Sequence, residues 1–265
     1  MTCTLFKSHV SLDLNAVQEI TYRWTMPRDT LTKPQIIRTA IELLDAEGLE
    51  GLNMRDLGDR LGSAATAVYW HVNSKDRLVR LAGDEVWNEI ELPDLQAVEW
   101  RAAATTMAKG LYAMLTRHPW LVQAFGTHPV YGPGKARYDE HSFAVYEMAG
   151  FVGAELERAL AAVFMFVLGS ALGQAAEVGL RRRLSREGVD ADERIQQTVA
   201  RASEIAKRFP RLRARIKTGV PVKYGSAPAR SFELGLEAIL DGLESRLRGR
   251  RTRNSRARSK KSSRS

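Results

Sequence analysis

Cysteine is almost absent from this 265-residue sequence, which contains Cys3 and no other. One cysteine excludes an intramolecular disulfide and any metal site built from several cysteines. The chain is therefore neither a disulfide-stabilised secreted domain nor a cysteine-ligated zinc protein. This composition fits a reducing compartment, and we expect a cytoplasmic protein.

The sequence also lacks the pattern of a secretory leader, and we expect no membrane-spanning helix. Residues 1–24 have no continuous apolar stretch, because charged side chains interrupt them at Lys7, Asp13, Glu19 and Arg23. Residues 159–176 carry no charge, but they include Ser170 and Gln174 and lie inside a longer helical pattern. We expect this stretch to be buried in a core or a dimer seam, with no membrane partner.

The sequence contains no paired-carboxylate motif, nucleophile elbow or phosphate-binding loop. Four residues invite a metal-site interpretation, namely His118, His128, Glu140 and His141. Their spacing matches no compact metal motif, and no two histidines stand four residues apart on a helix. We predict no catalytic residues, no metal and no cofactor. An enzyme built on a helical bundle is the alternative from another functional class.

Acidic residues are missing from the last 18 positions, where residues 248–265 contain nine Lys and Arg. This tail carries the whole formal net charge of +9, so the remaining chain is formally neutral. Because the tail has almost no apolar residue, we expect it to be disordered and to contact phosphates regardless of sequence. A non-specific nucleic-acid-binding protein driven by this tail therefore remains open.

Strand-like alternation is absent as well, and apolar residues recur with a helical period. The pattern predicts an all-α fold with four parts: a flexible arm at 1–30, a helix-turn-helix domain at 31–91, a larger helical domain at 92–247 and the tail. In the larger domain the predicted helices are 96–117, 119–125, 134–149, 153–182, 191–208 and 228–247, and 209–227 is predicted to be a loop.

Cap signals divide residues 31–91 into short helices. Thr32 and Gln35 form a capping box, Gly48 suits a helix end, and Asn53 and Ser74 suit helix starts. The second and third helices are short and are joined by Gly62-Ser63, which is the spacing of a helix-turn-helix.

The third helix is predicted to read DNA through its N-terminal side chains. Thr66 offers a hydroxyl and a methyl to a base edge, and Tyr69 and His71 can reach phosphates. Val68 and Trp70 are the residues expected to point inward.

Two strings carry a resemblance to a known family. Gly48-Leu49-Glu50-Gly51-Leu52-Asn53-Met54-Arg55-Asp56-Leu57 and Val68-Tyr69-Trp70-His71-Val72 resemble the TetR family of transcriptional regulators. The resemblance implies a homodimeric repressor that binds a pseudo-palindromic operator and is released by a small apolar effector. It carries the DNA-contacting positions over to Arg55, Ala65, Thr66, Ala67, Tyr69, His71 and Lys75. Because Ala65 and Ala67 have no hydrogen-bonding side chain, the protein is expected to contact few bases directly.

The resemblance continues into the larger domain. Gly126-Thr127-His128-Pro129 and Phe166-Val167-Leu168-Gly169 resemble segments of the tetracycline repressors. However, the magnesium-binding His and Glu of those repressors fall on Ala124 and about Gly173. The chain should therefore not chelate a magnesium–tetracycline complex in that way.

Two further sets of residues are predicted in the larger domain. An adaptable apolar pocket for the effector is expected at Met107, Leu111, Met114, Phe125, His128, Phe164, Met165 and Leu168. The dimer interface is expected on the helices at 153–182 and 228–247, at Gly169, Gly173, Phe232, Leu236, Ile239 and Leu243.

Overall fold

A computed structural model describes residues 31–217 and 230–262 of the chain, with side chains described for 31–216 and 230–250. All regular structure in these residues is helical, and they contain no strand. The predicted all-α fold is confirmed. The predicted arm at 1–30 lies outside the described residues.

The first domain, called the head here, contains four helices. They are α1 (Lys33–Gly51), α2 (Met54–Arg60), α3 (Ala65–Val72) and α4 (Lys75–Glu85), followed by one 3₁₀ turn (Val86–Glu89). The predicted caps are present: Thr32 and Gln35 form the capping box, Asn53 accepts from the Asp56 amide, and Ser74 accepts from the Arg77 amide. Such caps replace hydrogen bonds that a helix start cannot make within itself.

The second domain, called the body, contains the remaining helices. They are α5 (Trp100–Arg117), α6 (Pro119–Ala124), α7 (Pro133–Ala149), α8 (Ala154–Arg186), α9 (Ala191–Ala206), α10 (Pro210–Lys217) and α11 (Ser231–Ser262). The 33-residue α8 packs against α5, α6, α7 and α11. It is therefore the central helix of the body.

Head and body share one continuous apolar core. Helix α1 packs against α6 as well as against α4, and Trp87 after α4 is fully buried beside Tyr138 of α7. The same core therefore crosses the domain boundary, and head and body are packed against each other.

Two predictions about the C-terminal third were wrong. The predicted loop at 209–227 begins with a helix, α10. Helix α11 does not end near Leu247 but continues to Ser262 through the segment predicted to be disordered. Arginine and lysine are good helix formers, and after Gly249 this segment contains no glycine or proline that would end the helix.

Helix α8 is apolar enough to pass a membrane-span test by length and composition. An 18-residue window within it has a mean hydropathy of 1.8, and only 28% of that window is buried inside the protomer. Much of its apolar surface is therefore exposed in a single chain.

Candidate nucleic-acid interface and sensor cavity

Two glycines shape the connection between α2 and α3. A Cβ on Gly58 would lie 2.7 Å from the carbonyl oxygen of Ser63 and 3.1 Å from the amide nitrogen of Ala65. Gly62 has a φ of +60°, a left-handed conformation that glycine adopts without strain. The two glycines therefore bring α3 close to α2 and allow the chain to reverse between them.

Helix α3 presents one face to solvent and one to the head core. Val68 and Val72 are fully buried, while Thr66, Ala67 and Tyr69 are exposed. The other predicted DNA-contacting residues lie nearby on the same domain: Arg55 is exposed, and Ala65, His71 and Lys75 are partly exposed. The N-cap of α3 is Ala64, which provides no side-chain cap. No side chain among the described residues therefore competes for the first amides, although the Ala67 amide donates to the Ala64 carbonyl at 2.9 Å.

Trp70 does not point inward, contrary to the sequence prediction. Its side chain is 80% exposed and makes an edge contact with His71, with 5.0 Å between the ring centroids. The inward register of α3 is Val68 and Val72, one turn apart, so Trp70 falls on the opposite side. An exposed tryptophan on this short helix enlarges the surface available to a binding partner.

A buried histidine links the head to the body. His118, between α5 and α6, is 2% exposed. Its Nδ1 lies 2.7 Å from Oδ1 of Asp45 in α1, and its Nε2 lies 2.9 Å from Oε1 of Glu89. Trp120 donates to the same Asp45 oxygen at 2.7 Å.

Both ring nitrogens of His118 face acceptors, so both must carry a proton. Burial lowers the pKa of His118, but the hydrogen bonds and charges of Asp45 and Glu89 outweigh it and raise the pKa above its usual value. The positively charged imidazolium is therefore the form that fits this joint.

Two arginines near the end of α8 form a second link to the head. Arg186 donates to Oε2 of Glu50 at 2.8 Å and to the carbonyl of Glu47 at 2.9 Å. Arg182 donates to the carbonyl of Asp45. The end of α8 is thus held against the end of α1.

A cavity of about 270 Å³ lies between α7 and α8. Its walls combine aromatic rings with a few polar groups; the lining residues are Lys135, Tyr138, Asp139, Ser142, Phe143, Tyr146, Glu157, Leu160, Ala161, Val163, Phe164 and Met165. The hydroxyl of Tyr146 is buried and has no hydrogen-bond partner among the described residues. Such a group costs free energy until a partner reaches it.

The structure places only two of the eight predicted pocket residues, Phe164 and Met165, on this cavity. Met107, Leu111 and Met114 are buried in the core face of α5. Phe125 and Leu168 are partly buried, and the Phe125 ring lies 6.3 Å from that of Phe164. His128 faces the head instead, with its Nε2 3.6 Å from Oδ1 of Asp76. The cavity wall from α7 was missed, although its aromatic residues were a visible signal.

The predicted dimer residues divide between the protomer core and its surface. Phe232 and Leu236 are buried inside the protomer, where Phe232 stacks on Tyr112 with 4.1 Å between the ring centroids. Ile239, Leu243 and Gly173 are partly exposed, and Gly169 is exposed. Leu172 and Leu234, which were not predicted, are 56% and 70% exposed.

Comparison with known proteins agrees with this architecture. Residues 36–82 match the description "Bacterial regulatory proteins, tetR family", and residues 92–247, more than half of the chain, match "Tetracyclin repressor-like, C-terminal domain". The chain belongs to the TetR family. It is therefore a DNA-binding transcriptional regulator and not an enzyme.

Two curated TetR-family relatives cover most of the chain. The transcriptional repressor DrrR1 of Streptomyces coeruleorubidus is 32% identical over 82% of this chain and 79% of its own. The class C tetracycline repressor protein of Escherichia coli is 30% identical over 81% of this chain and 91% of its own. Among solved structures, ActR of Streptomyces coelicolor in complex with actinorhodin is 28% identical, with a TM-score of 0.60 over 82% of this chain and 96% of its own.

The TetR-family magnesium positions do not fit a metal in this chain. Ala124 is fully buried and Gly173 is partly exposed, and neither offers a side-chain donor. In the described part of the chain, no group of three or more His, Cys, Asp and Glu side chains could hold a metal ion. The residues at these two positions therefore give no support to a metal-chelate mode of ligand binding.

Proposed function

We propose that this chain is a homodimeric repressor that binds a pseudo-palindromic operator and is released by a small aromatic effector. The exposed face of α3 in a TetR-family head carries the proposal. Thr66 contacts base edges, and the phosphate contacts come from Arg55, Tyr69, His71 and Lys75 with the backbone at Ala65 and Ala67. Repression is supported by the two curated relatives described above, both of which are repressors by name. We infer a cytoplasmic location, because the partner is DNA.

Dimerisation follows from the exposed apolar surface of α8. Only 28% of its apolar window is buried in one protomer, and Leu234 of α11 adds to the exposed apolar surface. Small residues such as Gly169 allow a second copy of the helix to approach closely. A two-fold axis through this surface presents two heads to successive major grooves, about 34–36 Å apart.

The effector site is the cavity between α7 and α8. Its rings suit an aromatic molecule, and the buried Tyr146 hydroxyl suits a polar group on that molecule. The start of α7 is tied to the head, since both carboxylate oxygens of Asp84 in α4 accept from the Gly134 and Lys135 amides at 3.1 and 2.9 Å. An effector that moves α7 therefore moves α4. It shifts the equilibrium between the DNA-binding and the released conformation only by the difference between its affinities for the two.

Selection of bound duplexes from a random pool tests the DNA-binding proposal. We expect a palindromic consensus with two half-sites one helical turn apart. The matched control is the double variant Tyr69→Ala, Lys75→Ala, which should enrich nothing. Enrichment without a consensus would instead favour the non-specific nucleic-acid-binding alternative.

The effector proposal is tested by screening aromatic compounds for release of the selected duplex. Ala161→Trp fills the cavity from an exposed position on α8. We expect this variant to bind the duplex normally and to lose the response to active compounds. An unchanged response would place the effector elsewhere.

A further inference from the structure

A second cavity, of about 370 Å³, lies where the end of α8 meets the end of α1 and the short α6. We call it the joint cavity. It shares no lining residue with the cavity between α7 and α8. Its volume falls within the range of small-molecule sites, which is about 300–1,000 Å³. The joint cavity is therefore large enough for a ligand of its own.

The wall of the joint cavity is strongly basic. Arg182, Arg183 and Arg186 line it from the last turns of α8, and Glu50 is the single acid among its described lining residues. Glu187, which does not line the cavity, comes only within 4.0 Å of Arg183. The lining thus carries an excess of two positive charges, and such an excess attracts an anion.

The protein uses only part of the hydrogen-bonding capacity of these arginines. Arg182 donates through one Nη to the carbonyl of Asp45. Arg186 donates through its two Nη atoms to Glu50 and to the carbonyl of Glu47. Each guanidinium has five N–H donors. Both arginines therefore have donors left for a ligand.

Arg182 lacks a full counter-charge in the folded protein. Burial lowers the pKa of its guanidinium below the usual value, and the charges of Asp45 and Glu47 offset this only in part. The neighbouring Arg186 lowers the pKa of Arg182 further. Because an arginine in a protein keeps its proton, an anion in the cavity would stabilise the charged form.

Two glycines allow polar groups to pack closely at the joint cavity. Gly48 of α1 has a φ of +73°, and a Cβ there would lie 3.3 Å from Nη1 of Arg182. A Cβ on Gly179 of α8 would lie 2.6 Å from Nε2 of Gln123. The side-chain amide of Gln123 lines the cavity and has no hydrogen-bond partner among the described residues. Its two N–H donors are therefore available to an anion as well.

We propose that the joint cavity binds a small oxyanion, a phosphate or carboxylate compound with at least two negative charges, which replaces Glu50 as the acceptor of Arg186. Guanidinium groups suit such oxygens because their N–H donors form a planar fork. Glu50 is easily displaced, since its side chain is 76% exposed and an exposed ion pair is weak. Because Arg186 holds α8 against the head, the anion acts directly on the contact between head and body.

Isothermal titration calorimetry on the full chain without DNA tests this proposal. The probes are sodium pyrophosphate for phosphate compounds and sodium citrate for carboxylates, at one ionic strength set with sodium chloride. We expect at least one probe to bind the wild type with a dissociation constant below about 1 mM. The probe that binds more tightly identifies the class of oxyanion.

Three variants connect this binding to the joint cavity. The double variant Arg183→Gln, Arg186→Gln removes two guanidinium groups and should weaken binding at least about tenfold. Its matched control, Arg194→Gln, Arg201→Gln, removes two exposed arginines from α9 and should bind the probe like the wild type. Glu50→Gln removes the competing acceptor and should bind the probe about two- to fivefold more tightly. A gain of affinity does not arise from a loss of folding.

Four results would overturn the proposal. Neither probe binds the wild type at millimolar concentration, or the double variant binds as tightly as the wild type. The α9 control loses as much affinity as the double variant, which would show an adventitious ion only, held by the net charge of the chain. Glu50→Gln binds no more tightly than the wild type, which would show that Glu50 does not compete with the anion. Because no DNA is present, none of these results depends on the proposed function.

Discussion

Thr66 and Lys75 have different predicted roles although both lie on the exposed side of the head. Thr66→Ala removes the proposed base contact and should relax the selected consensus at one position per half-site, at a cost of about 1–3 kcal/mol for the preferred base. Lys75→Ala removes the proposed phosphate contact and should weaken all sequences about equally. Repeating the random-pool selection and measuring affinities with both variants distinguishes the two.

The charge control for these variants is Lys109→Ala, which removes an exposed lysine from α5 in the body. It should leave affinity and consensus unchanged. An unchanged consensus for Thr66→Ala would show that base readout lies elsewhere.

His118 makes the stability of the protein depend on pH. Its pKa is raised in the folded state by Asp45 and Glu89, so the folded protein binds this proton more tightly than the unfolded chain. The stabilisation that this proton contributes is complete below about pH 6.5, the pKa of the histidine in the unfolded chain. It is lost as the pH rises through the higher pKa of the folded state. Each unit of difference between the two pKa values is worth about 1.4 kcal/mol.

Urea unfolding at a series of pH values measures this effect. Wild type should lose stability above about pH 6.5, and His118→Gln should be less stable at low pH and nearly independent of pH in this range. The matched control is His141→Gln, because His141 bonds to the carbonyl of Pro93 and not to a carboxylate. Parallel curves for wild type and His118→Gln would contradict the assignment.

The turn between α2 and α3 depends on two glycines for different reasons. Gly58→Ala places a methyl against backbone atoms of Ser63 and Ala65, which no side-chain rotation relieves. We expect it to cost about 1–3 kcal/mol and to displace α3, so that DNA affinity falls even in the folded protein. Thermal unfolding and affinity for the selected duplex are the two measurements.

Gly62→Ala serves as the comparison, because a Cβ there meets no atom within 4 Å. It should cost only the left-handed backbone strain, about 1–2 kcal/mol, with DNA affinity retained at temperatures where the protein is folded. Equal losses of affinity in both variants would argue against the close α2–α3 approach as the determinant.

The exposed surface of α8 is predicted to hold the dimer together. Leu172→Glu puts a charge into this surface in both copies, and each buried leucine side chain is worth about 1.5–3 kcal/mol. The dimer dissociation constant should rise at least about 100-fold. Sedimentation should then report the 29.6 kDa monomer at micromolar concentration.

A surface substitution away from that helix face controls for added charge. Val152→Glu changes a side chain that is 64% exposed in the turn before α8, and it should remain dimeric. A wild type that sediments as a monomer would contradict the dimer model outright.

Local signals predicted the helices better than they predicted which residues face which partner. The caps at Thr32, Asn53 and Ser74 depend on near neighbours, so the sequence shows them directly. By contrast, the apolar stripe containing Phe232 and Leu236 shows that one helix face is buried, but not whether the same protomer or a second copy buries it. On the short α3, the sequence allows either Trp70 or Val72 to be buried in the head core beside Val68. Packing against α2 determines which of the two is buried.

At the scale of the whole molecule, hydrogen bonds and ion pairs connect head and body in addition to their shared apolar core. His118 bonds to Asp45 and Glu89, while Arg182 and Arg186 hold the α8 side of the contact. Asp84 ties the start of α7 to α4. Since these links involve different body helices, a change at the effector cavity and a change at the joint should be separable by mutation.

Arg186→Ala should loosen the head without unfolding the body. The variant loses a bond to the Glu47 carbonyl and an exposed ion pair with Glu50, together worth about 1–2 kcal/mol. Amide hydrogens of α1 should then exchange roughly five- to thirtyfold faster, while those of α5 and α7 keep their protection.

Arg183→Ala is the matched control. Arg183 lies 4.0 Å from Glu187, the residue after α8, and makes no bond to the head in the described residues. If Arg186→Ala accelerates exchange equally in head and body, the two domains open as one unit. An effector could then not move the head independently of the body, and release of the operator would require a rigid-body change in the dimer instead.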